Sequence, residues 1–259
     1  MFRSVRRAMA ALASMLAMAS PAVAEESVDL ELVLAVDASS SMGFAELLLQ
    51  RDGYVAAFRH PAVIDVIGAG SHGRIAVTYV EWAGPELRRV VVPWRILADA
   101  ADAQAFAAEL GSAPVGIGSQ TSISGGLLFA ALLFDQNGVT GTRRAIDVSG
   151  DGANNVGVGI VDARDRIVGA GITINGLPIV IRPTELDARG VDLNAYYQDC
   201  VIGGPGAFTI AVDDPAGFRV AIRRKLVLEI AGLPPRLMPA AAPLTSRPRV
   251  DCLIGEKMR

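Results

Sequence analysis

Leu32-Val33-Leu34-Ala35-Val36-Asp37-Ala38-Ser39-Ser40-Ser41 is the stretch whose reading decides the fold. Five apolar residues run without a polar break, which suits a central parallel strand buried on both faces. The run ends at Asp37 and passes at once into a loop of small hydroxyl residues. A strand buried on both faces needs neighbours beside it and helices over it, and the flanking sequence supplies both in alternation.

Residues 29–36 read as this strand and 45–58 as a helix. Residues 74–82 and 88–94 read as strands joined hairpin-fashion at Gly84-Pro85. An amphipathic helix follows over 99–110. Residues 124–134 are apolar nearly all round and predict a buried helix, whose Gly125-Gly126 allows close approach of a neighbour. Strands at 144–149, 172–181 and 207–212 alternate with helices at 160–170, 187–200 (with irregular ends) and 215–230. The pattern predicts an α/β, doubly wound, mostly parallel sheet with one antiparallel edge strand and helices on both faces.

The chain has 259 residues, 51% hydrophobic and 20% charged, which supports a packed core rather than a disordered chain. Residues 1–24 read as a secretory signal peptide: Arg3, Arg6 and Arg7, a short apolar run, then Ala22-Val23-Ala24 for cleavage. Residues 25–231 are expected to form the domain and 232–259 an irregular Pro-rich tail. Cleavage after Ala24 removes three arginines and no acid, taking the net charge from −3 to −6. That balance argues against nucleic acid as a partner and against a polybasic membrane patch. Later apolar runs are short or interrupted, so no transmembrane segment is expected after cleavage. The expected location is periplasmic or secreted. Cys200 and Cys252 are the only cysteines, and export to an oxidising compartment makes a disulfide between them the leading reading. Two free or intermolecular thiols are the alternative.

In a doubly wound sheet, ligands bind beyond the C-terminal ends of the strands, where strand order reverses. Three loops there carry oxygen-bearing side chains: Asp37-Ala38-Ser39-Ser40-Ser41, Gly118-Ser119-Gln120-Thr121 and Ser149-Gly150-Asp151-Gly152. Their convergent set is Asp37, Ser39, Ser41, Thr121 and Asp151, with no His or Cys. All-oxygen ligation suits a hard divalent cation, Mg²⁺ or Mn²⁺. Hydroxyl ligands add no negative charge, so the ion stays electrophilic and would accept an outside carboxylate. Ser40, Gln120, Gly152, Asn154 and Asn155 flank this set and are the expected partner-facing residues. Taken singly, each piece has a plainer role: Asp37 and the serines as a turn or N-cap, Thr121 as an N-cap, Asp151-Gly152 as a turn.

Asp37-x-Ser39-x-Ser41, then Thr121, then Asp151-Gly152, resembles the metal-ion-dependent adhesion site of von Willebrand factor A domains, over about residues 28–230. The resemblance implies that Ser39, Ser41 and Thr121 coordinate the ion directly or nearly so, and that Asp37 and Asp151 act directly or through water. A last position would go to water or to a partner's Asp or Glu. The stretch from Ile146 to Asn155, with Tyr196-Tyr197 and Gly203 to Phe208, is similar to a bacterial family of exported proteins of unknown function with this fold. Gly150 departs from the broader pattern, in which many relatives place Thr and no Gly just before the Asp-Gly pair.

These readings together predict an exported, metal-dependent protein-binding module and not an enzyme, with a protein ligand bearing an exposed Asp or Glu. The alternatives are a hydrolase using the Asp/Ser/metal site and a structural envelope protein with a loop-stiffening ion. Asp37, His72 and Ser119 follow the order of the subtilisin triad, but Ser119 lacks a nucleophile's setting. Neither His60 nor His72 belongs to a zinc pattern. Asp147, inside a strand, is expected to be paired or to face an edge. Trp82 and Trp94 are expected in the core.

Overall fold

The computed structural model describes residues 25–135, 137–184, 186–233 and 248–258. The expected signal peptide and residues 234–247 of the expected tail lie outside the described residues. Five strands, β1 (Glu26–Asp37), β2 (Ile75–Trp82), β3 (Arg88–Leu97), β4 (Val139–Gly150) and β5 (Thr173–Pro178), form one sheet in the order β3-β2-β1-β4-β5. β1 pairs in parallel with both β2 and β4, and β4 with β5; only the β2–β3 hairpin is antiparallel. The expected α/β architecture is therefore present.

Alternation along β1 explains why its apolar run is unbroken. Leu30, Leu32, Leu34 and Val36 enter one core, beneath α1 (Phe44–Phe58), α2 (Pro61–Gly68), α3 (Ala100–Ser112) and α7 (Phe218–Ala231). Val33 and Ala35 enter the other, beneath α4 (Ile123–Leu132), α5 (Ile160–Gly169) and the segment around α6 (Leu193–Tyr196). Both faces of the central strand are dry, as its composition requires. Gly126 of α4 packs against Trp82: a Cβ there would lie 2.6 Å from the indole ring. Trp82 is fully buried, and Trp94 is partly buried with its Nε1 donating to the Leu133 carbonyl.

Three elements differ from expectation. α2 was not anticipated: Pro61 opens it, and the His60 side chain accepts from the Ala62 amide as its N-cap. Proline at the first helical position forfeits no hydrogen bond. The expected helix over 187–200 is broken into a 3₁₀ turn (Asp187–Arg189), α6 and a π-helical turn (Tyr197–Val201), with Gly190 at φ +69° ending the first piece. The expected strand over 207–212 runs beside β5 but pairs with it only in isolated bridges, Gly176 with Thr209 and Ile179 with Val212. Pro178 between them has no N–H to extend the ladder.

The end of the chain is pinned. Cys200 and Cys252 form a disulfide across 52 residues. The leading reading of the two cysteines holds. Among the described residues, no helix is long and apolar enough to cross a membrane.

A charge cluster ties α7 to the sheet. The Lys225 ammonium is fully buried, 2.6 Å from Asp147 Oδ1 on β4 and 2.5 Å from Glu229 Oε1 one turn along α7. Burial and the Asp147 charge push the Glu229 carboxyl up to about 8 despite its lysine partner. Asp147 is paired, as one of its two expected roles required.

Candidate metal centre

The reversal of strand order falls between β1 and β4, so the loops leaving these two strands start side by side. Register makes the juxtaposition specific: Val36 pairs with Ser149, which places Asp37 beside Gly150 and Asp151. The Asp37 Oδ1 accepts from the Ser39 amide at 2.7 Å, bending the chain immediately after the strand. That bend turns both serines inward. Ser39 Oγ lies 2.8 Å from Ser41 Oγ, and Ser41 Oγ donates to Asp151 Oδ1 at 2.7 Å. Asp37, Ser39, Ser41 and Asp151 thus form one continuous polar chain, whose last link joins residues 110 apart in the sequence.

Thr121 arrives on the third loop. Gly118 forms a parallel bridge with Ser39, exchanging hydrogen bonds with Ala38 and Ser40, each 2.8 Å. Glu81 supports the approach to this loop by accepting from the Gly116 amide while paired with Arg51 and Arg89. Gln120 has φ +61°, the only positive φ at a non-glycine residue among those described. This left-handed kink is costly for a residue with a Cβ and presents Thr121 to the cleft. A reciprocal pair then locks Thr121 to the Asp151 loop: Thr121 N donates to Asn155 Oδ1 and Asn155 N to the Thr121 carbonyl, both at 2.9 Å. Ser41, Thr121, Asp151, Gly152 and Asn155 line one cleft of about 210 Å³.

Two carboxyl groups meet at this end of the sheet. Asp37 is fully buried, and its Oδ2 has no hydrogen-bond partner. Burial, then the nearby Asp151 charge, push its carboxyl up to about 8, against the pull of hydrogen bonds from Ser39 and the Asp151 amide. Burial also raises Asp151, with Ser41 and Arg182 pulling the other way. Two carboxylates that share a site ionise together only if a positive charge joins them. Among the described residues no group of three or more His, Cys, Asp or Glu converges, and the side chains beside the two carboxyls here are the hydroxyls of Ser39, Ser41 and Thr121. An all-oxygen set of this kind fits a divalent cation.

The flanking residues divide. Ser40 and Gln120 are exposed, and Gly152 and Asn155 are half-buried on the cleft wall. Asn154, expected to face a partner, is fully buried: its Oδ1 accepts from Ser124 N at the start of α4, its Nδ2 donates to Glu256 Oε1 at 2.8 Å, and its amide donates to the Tyr196 hydroxyl. It braces the loop from behind rather than presenting a face. His72 lies in the turn that caps Asp29, at the start of β1 and so at the opposite end of the strand from Asp37, which leaves no triad with Asp37 and Ser119.

Two residues that the sequence reading passed over belong to the cleft. Arg182 donates to the Ser41 carbonyl at 2.8 Å and pairs with Glu46, whose Oε2 caps α1 by accepting from the Gly43 amide. The Gly43-x-x-Glu46 spacing is a capping signal that could have identified Glu46. Nothing local marks Arg182, which comes from beyond β5. Met258, beside the disulfide-bound terminus, adds an apolar wall together with Ile181 and Leu186.

The same fold recurs in solved structures. The pilus adhesin SpaC from Lactobacillus rhamnosus GG, in its open conformation, aligns with TM-score 0.57 and 12% identity over 79% of this chain and 30% of that one. The chain thus spans about a third of that adhesin. The von Willebrand factor domain of the type V pili tip protein Mfa5 from Porphyromonas gingivalis aligns with TM-score 0.55 and 12% identity, over 80% of this chain and 96% of its own. Proximal thread matrix protein 1 from the mussel byssus, in a structure with a zinc-occupied metal-ion-dependent adhesion motif, aligns with TM-score 0.53 and 16% identity over 80% and 48%. No curated protein matches the chain. The fold is that of von Willebrand factor A domains, and the match of residues 27–234 to its family model places the chain in the family described as protein of unknown function DUF1194.

Proposed function

We propose that this protein is an exported, metal-dependent binding module and not an enzyme. Asp37, Ser39, Ser41, Thr121 and Asp151 hold one Mg²⁺ or Mn²⁺, and a carboxylate from a partner protein completes its coordination. The observation that carries the reading is the polar chain from Asp37 through Ser39 and Ser41 to Asp151, with a buried carboxylate oxygen that has no partner. Three of the five donors are neutral hydroxyls, so where Asp37 and Asp151 act through water the ion's inner shell carries little negative charge, and an incoming Asp or Glu is the group it would favour. The exposed Ser40 and Gln120 and the half-buried Gly152 and Asn155 would meet the partner around the ion. Relatives of this fold that are named as adhesins and pilus-tip proteins, and one with a zinc-occupied adhesion motif, support a binding role around a divalent cation. Residues 1–24 act as the cleaved export signal, and the disulfide suits a periplasmic or secreted location.

The test is chemical crosslinking of the tagged protein in its native envelope, with Mg²⁺ and with EDTA. A partner captured only with the ion, and lost on Asp151→Ala or Thr121→Ala, is the expected result. Capture indifferent to chelator and to both substitutions would contradict it, and would favour an ion that merely stiffens the loops.

A further inference from the structure

Tyr197 opens the π-helical turn Tyr197–Val201, and its side chain is fully buried. Two glycines make room for it on neighbouring strands. A Cβ at Gly176 of β5 would lie 2.7 Å from the Tyr197 Cδ1. A Cβ at Gly150 of β4 would lie 2.9 Å from the Tyr197 hydroxyl and 2.8 Å from Asp37 Oδ2. The ring therefore lies across β5 and the end of β4, and its hydroxyl and the orphan oxygen of Asp37 both border the space a Cβ at Gly150 would take. Neither oxygen has a hydrogen-bond partner. A phenylalanine would fill the same apolar space without burying an unpartnered hydroxyl, which is costly. Two glycines and a π-helical turn, a feature common at functional sites, thus bring a phenol to one carboxylate.

We propose that Tyr197 is a positioning residue for the ion site: its phenol holds Asp37 Oδ2 by donating to it through the space Gly150 leaves open. This rests on the proposed metal site and adds a role for a residue that would not touch the ion. It also gives Gly150 a function, since any side chain there would fill the gap. Outer hydrogen bonds of this kind orient a ligand and hold its charge.

The experiment compares Mg²⁺ binding by calorimetry to metal-free wild-type protein, Tyr197→Phe and Gly150→Ala, together with near-ultraviolet difference spectra on ion addition. Tyr197→Phe is expected to weaken binding by about 10-fold. It should also abolish most of the ion-induced tyrosine signal, without lowering the melting temperature of the metal-free protein. A purely structural tyrosine would do the reverse, lowering the metal-free melting temperature and leaving affinity unchanged. Gly150→Ala is expected to weaken binding at least as much. Wild-type affinity and an unchanged tyrosine signal in Tyr197→Phe would overturn the inference alone. Absence of Mg²⁺ binding by the wild type would overturn it together with the metal site.

Discussion

Replacing Lys225 by Met should be among the most damaging single substitutions in this chain, although it lies outside the candidate site. Lys225 is fully buried and holds Asp147 at 2.6 Å and Glu229 at 2.5 Å. Methionine matches the stem in length and leaves little cavity, so loss of apolar packing is minor. What remains is two buried carboxyl groups facing each other with no cation. Breaking a buried pair by removing one partner costs about 3–5 kcal/mol. For a domain of this size that lowers the melting temperature by about 6–20 °C. The cost must also depend on pH. Without the ammonium the Glu229 carboxyl, already at about 8 with its lysine partner in place, moves higher still, so above pH 8 the variant's folded state keeps a proton that the wild type releases. Its deficit therefore grows as the pH rises through about 8. Urea unfolding of wild type and Lys225→Met at pH 6, 7 and 9, in excess Mg²⁺, measures both. A loss below about 1 kcal/mol at pH 7, well under the buried-pair range, or a loss that does not change with pH, would refute the claim that this cluster anchors α7 to β4.

Reduction of the Cys200–Cys252 disulfide, or replacement of both residues by Ser, should cost about 4 kcal/mol from loop-closure entropy; chemical denaturation with and without reductant measures it, and fast proteolysis of residues 248–258 should accompany it. Gly126→Val should destabilise by about 1–3 kcal/mol through overpacking against Trp82, read as a shift in the urea midpoint at unchanged slope. In metal-free protein the raised Asp37 carboxyl, at about 8, holds a proton that the unfolded chain releases near its ordinary value of 3.8. Stability should therefore fall as pH rises across that interval, with Glu229 adding a slope of the same sign. Thermal melts should show the Mg²⁺-induced gain growing over the same interval, and Asp37→Asn should remove the Asp37 part of the slope.

Much of this was legible in the sequence because the decisive signals are local. β1 announces itself by an apolar run that only a strand covered on both faces tolerates, and the hydroxyl-rich loops stand directly against strand and helix ends. Strand order then brings Asp37 beside Asp151 through the Val36–Ser149 register. What escaped depends on contacts between distant segments. Lys225 with Glu229 reads as an ordinary surface pair on a helix until Asp147 is placed beneath it. Asn154 is expected from its loop to face a partner, yet its side chain is used up by Ser124, Val158 and Glu256. Pro61 reads as a stop but starts α2. Arg182 and Met258 reach the cleft only because residues beyond β5 and the disulfide-tied terminus fold over the same end of the sheet.

Calorimetric titration of Mg²⁺ into metal-free protein, beside Asp37→Ala and Asp151→Ala, tests the central claim most directly. One ion bound per wild-type chain, with binding lost in both variants, is the predicted result. Binding that survives in both variants, or no binding by the wild type, would contradict the convergence of these five oxygen donors on a single ion.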